Sequence, residues 1–166
     1  MDAERLALAI TGAVVGVLGW LMVGLYINRR EYARRARNAG RAVYFELTAN
    51  QLAVFTAVSY GAFGQLSRAT FDRLLPELAT WLPAGELQSV ALAYLGHDGY
   101  DQARTDASLP NDVRRMILAG VNDAQLVALD LLRPRVFTKR EIAELNRYAT
   151  DPQRALVEAA VKEPSS

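Results

Sequence analysis

The stretch Leu6 to Ile27, LALAITGAVVGVLGWLMVGLYI, carries no charged residue and is closed at once by Asn28-Arg29-Arg30. At a helical rise of about 1.5 Å per residue it reaches roughly 33 Å, enough to cross a hydrocarbon core of about 30 Å. The run predicts an N-terminal transmembrane helix, residues 1–27. A cleaved signal peptide is the first competitor, and a buried soluble helix the second. A signal peptide needs a basic start, a shorter apolar core and a small-residue cleavage site. Here Met1-Asp2-Ala3-Glu4-Arg5 is net negative and arginine follows the run, so an uncleaved anchor is the expectation.

Charge sets its direction. Arg29, Arg30, Arg34, Arg35, Arg37 and Arg41 follow the span, opposed only by Glu31, whereas Arg5 is the single basic residue before it. Basic residues are retained on the cytoplasmic side. The expected topology is a short N-terminus outside, a basic juxtamembrane helix over 28–41, and a cytoplasmic domain over 42–163, in an inner (cytoplasmic) membrane. Tyr26 falls at an interfacial depth and Trp20 deeper. The six arginines read as a topogenic stripe able to touch anionic headgroups, each contact worth at most about 1 kcal/mol. Within the span Ala9, Gly12, Gly16 and Gly19 share one stripe, a spacing that allows close helix–helix contact in a membrane with a second copy or a partner subunit.

The overall charge of +1 hides this asymmetry: residues 28–41 carry six Arg against one Glu, while residues 42–166 are mildly acidic. That balance argues against nucleic-acid binding, which the phosphate backbone dominates. With no cysteine there are no disulfides and no thiolate chemistry. The richness in Ala, Leu and Arg, with Lys139 and Lys162 the only lysines, fits a GC-rich bacterial genome.

Beyond the anchor, apolar residues recur at three and four positions and strict alternation is absent, which predicts an all-α antiparallel helical bundle. One helix continues, with a break near Gly40, to a turn at Gly61 and Gly64. Ser67 is the expected N-cap of the next, with Pro76 kinking or restarting it. Pro83 opens a helix over 84–104, and Leu109-Pro110-Asn111 opens another that ends at Arg133-Pro134. Thr138-Lys139-Arg140-Glu141 spells a capping box. Asp151-Pro152 marks a terminal helix.

The pattern Tyr44-x-Glu46-x-x-x-Asn50, then Ser67…Phe71-x-x-Leu74-Leu75-Pro76-x-Leu78-x-x-x-Leu82-Pro83-x-x-Glu86-Leu87-x-x-Val90, resembles uncharacterised bacterial single-pass proteins in which a membrane helix precedes a small helical domain. The resemblance spans about residues 6–95. It implies architecture and no activity.

No grouping of residues specifies a reaction. His97 is the only histidine; in Gly96-His97-Asp98-Gly99 it reads as a polar helix end or loop with the glycines turning the chain, and no metal site is expected. Glu46 and Asn50 share a helix face at i, i+4, which reads as a flank hydrogen bond. No serine lies in a nucleophile turn and no phosphate loop is present. The expectation is a non-enzymatic domain without cofactors. It would act by protein–protein contact as an accessory or scaffold subunit, with a membrane-anchored small-ligand sensor lined by Tyr, Glu46 or His97 as the alternative.

Overall fold

A computed structural model describes the backbone of residues 3–147, and the side chains of Gly16 and of residues 18–147. Among these residues the chain is all helical, with no strand. Four helices follow in order, α1 (Ala3–Tyr60), α2 (Ala69–Trp81), α3 (Ala84–Thr105) and α4 (Asn111–Val136). A fifth, α5, opens at Lys139 and is described to residue 147. The terminal helix expected after Asp151 lies outside the described residues. The chain divides into two compact units, Met1–Ala36 and Arg37–Ser166.

In the first unit, no helix among the described residues is long and apolar enough to cross a membrane. Half of the expected span, 6–15 together with Val17, lies outside the described side chains. What is described of it is exposed on every side of the helix: Leu18, Trp20, Leu21, Met22, Val23, Leu25, Tyr26 and Ile27.

The second unit is an up-down-up-down bundle, and side-chain meetings fix each direction. Glu46 meets the start of α2, whereas a Cβ on Gly40 would come within 2.9 Å of Trp81 at its end, so α2 runs antiparallel to α1. Tyr94 lies against Glu46 and His97 against Asn50, so α3 runs parallel to α1. Gln51 pairs with Asn122 while Gly40 faces Val136, which makes α4 antiparallel.

Two apolar clusters fill this unit. One gathers Val43 and Leu47 of α1, Phe71 and Leu78 of α2, Val90 and Tyr94 of α3, and Ala128 and Leu132 of α4. The other gathers Val54, Ala57, Tyr100, Ala103, Leu118 and Val121, with Phe63 and Leu66 of the 61–68 connection packed on it. The connection thus covers the half of the bundle that the short α2 leaves open.

Local expectations meet mixed outcomes. No break occurs at Gly40, which lies inside α1, and α1 stops at Gly61, whose φ of +69° suits a residue without a Cβ. Pro76 does not restart α2, which continues through it; only the bond to the Asp72 carbonyl is forfeited, while Phe71 and Leu78 stay buried on either side. Pro134 likewise sits inside α4, which runs on to Val136. Gly96 and Gly99 are not turn residues. They lie in the middle of α3, where a Cβ would stand 3.1 Å from Val121 and 3.2 Å from Ile117, so they let α3 and α4 approach closely. The capping box forms as expected: the Thr138 N–H donates to Glu141 Oε2 at 2.7 Å and the Glu141 N–H to Thr138 Oγ1 at 3.3 Å.

Candidate functional site

The densest polar arrangement of the bundle forms where α1, α3 and the start of α2 meet. A helix leaves its first backbone N–H groups without partners. The residue at the α2 N-cap, Arg68, makes no side-chain capping bond. Glu46 does that work from α1. Its Oε2 accepts the Thr70 N–H at 2.8 Å and the Ser67 hydroxyl at 2.9 Å, and its Oε1 accepts the Phe71 N–H at 3.1 Å and the Tyr94 hydroxyl at 3.0 Å. Ser67, expected as the cap, is instead one of the donors to the carboxylate.

One turn along α1, Asn50 staples the same connection. Its Oδ1 accepts the Ser67 N–H at 2.8 Å and its Nδ2 donates to the Ser67 carbonyl at 2.7 Å. Asn50 is 2 % exposed, so these bonds are made away from water, where leaving them unmade costs about 1–3 kcal/mol per group. His97 Nε2 lies 3.5 Å from Asn50 Nδ2. Tyr94 stacks on Phe71 with centroids 4.3 Å apart and borders the His97 ring at 5.3 Å.

The electrostatics follow from these contacts. Burial opposes ionisation of Glu46, but the donors from Thr70, Ser67, Phe71 and Tyr94 outweigh it and hold the carboxyl below its ordinary range. A carboxylate at a helix N-terminus also complements the helix dipole. Burial, and next the Glu46 charge, push the Tyr94 hydroxyl far up, so it serves only as a donor. Burial, and next the Arg68 charge, push His97 down from 6.5 and keep it neutral. The arrangement is a capped and stapled junction. It presents no paired acid and base facing a cleft, and no group of three metal-ligating side chains occurs among the described residues.

Elsewhere in the bundle, an open cleft of about 280 Å³ lies between Ala57, Val58, Gly61 and Phe63 on one side and Asn111, Arg114, Arg115 and Leu118 on the other.

The expected membrane-facing residues behave as two sets. Ala9 and Gly12 lie outside the described side chains; Gly16 and Gly19 face open space, with nothing within 4 Å of a Cβ at either. Arg29, Arg30, Arg34, Arg35 and Arg37 are exposed, and Arg35 lies 3.8 Å from Glu31. Arg41 departs from the stripe. Its Nε donates to the Val136 carbonyl at 2.9 Å, its Nη2 reaches Glu141 at 2.6 Å, and its guanidinium lies over the Phe137 ring. It closes the C-terminal end of α4, where cations are favoured.

Sequence reading located Glu46, Asn50 and Ser67 but not their union, and it missed Tyr94 as a donor and Gln125 altogether. The available signal was a carboxylate and an amide at i, i+4 on the face that also carries Val43, Leu47 and Val54. A polar pair on an apolar face has to find partners. No family model, curated protein or solved structure matches the chain.

Proposed function

We propose that the protein is a non-enzymatic helical domain tethered to a bacterial inner membrane, working through protein–protein contact as an accessory or scaffold subunit at the cytoplasmic face. The observation that carries the tether is the exposed apolar surface from Leu18 to Ile27, which surrounds the helix instead of forming one stripe. Burying each such side chain is worth about 1.5–3 kcal/mol. A helix apolar all round is a membrane span or is enclosed by protein, and the uncharged stretch before it supplies the rest of the length. The exposed Arg29, Arg30, Arg34, Arg35 and Arg37 support an orientation with the bundle in the cytoplasm.

Contact rather than catalysis is supported by the bundle's own surface. Phe45, Leu52 and Phe55 lie on one stripe of α1 and remain exposed, Leu52 at 62 %. Aromatic and aliphatic side chains in contiguous exposure mark interaction surfaces. A photo-crosslinking residue at Leu52 or Phe55, in native membranes, is expected to give a discrete adduct that the same probe at exposed Thr80 does not. Monomer alone from all three positions would remove the reading. The sensor reading draws on the cleft beside Arg114 and Arg115, and a small anion that raises the melting temperature only when both arginines are present would favour it.

A further inference from the structure

Between the two apolar clusters the core positions of three helices are polar. On α1, Asn50 stands between Leu47 and Val54; on α3, His97 stands between Tyr94 and Tyr100; on α4, Gln125 stands between Val121 and Ala128. Gln125 is fully buried, and neither of its amide atoms has a partner among the described residues. Gln51 and Asn122 add a bond of 3.4 Å within a turn of this level. The two halves of the core are thus each held by apolar packing, while the belt between them carries the Asn50–Ser67 and Gln51–Asn122 bonds and leaves Gln125 unpaired among the described residues.

His97 is the one belt residue whose charge changes near neutral pH. Its partner's orientation is fixed. Asn50 must turn Oδ1 to the Ser67 N–H and Nδ2 to the Ser67 carbonyl, since the flipped amide would set like groups against each other at both. The second hydrogen of Nδ2 is thus the one available to His97 Nε2, 3.5 Å away, which accepts it only when unprotonated. A proton on Nε2 would place two donors face to face.

We infer that His97 is a proton-operated latch: protonation of its imidazole opens the Asn50–Ser67 staple and loosens the 61–68 connection from α1, while Glu46 keeps the first turn of α2 in place. The neutral ring is favoured first by burial and then by Arg68, from the connection; Glu46 on α1 and Asp101 and Asp98 on α3 pull the other way. At this level α4 brings Asn122 and Gln125, both uncharged. With the folded-state value held below 6.5, the docked state is fully stable above that pH and loses stability as pH falls through the folded value. Glu46 acts in a separate, lower window, because its ordinary value is 4.5 and its shift is downward. The latch does not rest on the tether or on any partner.

The test uses the full chain in detergent micelles, where the single histidine gives one unambiguous imidazole resonance. Its titration between about pH 7.5 and pH 5 is followed beside the amides of Ser67, Thr70 and Phe71. The expected result is that the Ser67 amide moves with the midpoint of His97 while those of Thr70 and Phe71, held by Glu46, do not. Hydrogen exchange, corrected for intrinsic rate, should then show protection of the Ser67 amide falling about tenfold or more across that range while 70–72 and 118–132 are unchanged. In His97→Gln both changes should vanish. A Ser67 amide that stays still while His97 titrates overturns the latch. So does an equal loss of protection in His97→Gln. If that variant does not fold, the wild-type coupling of imidazole and amides decides alone.

Discussion

Glu46 shows how one side chain can settle the placement of an element. Four donors converge on its two oxygens, two of them orphan N–H groups of α2 and one the buried Tyr94 hydroxyl. Glu46→Ala leaves these groups without an acceptor and should lower unfolding free energy by about 3 kcal/mol in urea titration, whereas Tyr94→Phe, which removes one donor of four, should cost about 1 kcal/mol. Because the folded-state carboxyl is held below 4.5, its stabilisation is complete above that pH and is lost as pH falls through the folded value. Glu46→Gln should flatten that acid limb of the stability curve. Gln125 points the other way. With both amide atoms buried and unpaired, Gln125→Met should raise stability by about 1–2 kcal/mol, measured by the same titration. Little of this was legible in the sequence. The partners of Glu46 lie 21 to 48 positions away, and no local rule reaches across such a separation.

At the level of helices, the glycines separate sites where close approach matters from sites where it does not. A Cβ on Gly40 would stand 2.6 Å from Val136 and 2.9 Å from Trp81, while one on Gly120, exposed in mid-α4, would meet nothing within 4 Å. Alanine is favoured over glycine in a helix by about 0.5–1 kcal/mol. Gly120→Ala should therefore raise the melting temperature. Gly40→Ala should lower it, since overpacking costs about 1–3 kcal/mol and outweighs the propensity gain. Among the described residues helix existence was legible, because amphipathic spacing is a local signal, and so was the Thr138–Glu141 capping box, whose atoms are three residues apart. Punctuation was read less well. Pro76, Pro134, Gly96 and Gly99 all suggest breaks, yet each sits within a helix. Packing supplies the reason for the two glycines: Val121 and Ile117 occupy the space a Cβ would take.

For the whole molecule, the bundle described from Arg37 to residue 147 holds two apolar clusters joined across a polar belt. The exposed apolar side chains from Leu18 to Ile27 have no such burial among the described residues, and the proposed tether would supply it. A single-pass helix does not leave a bilayer when peripheral contacts are stripped, because its apolar surface would have to enter water. The direct measurement is alkaline carbonate extraction of membranes containing the full chain. The chain should remain in the membrane pellet, and protease should reach the bundle only once the cytoplasmic face is opened. Release into the supernatant would contradict the account, and so would digestion of the bundle in intact spheroplasts.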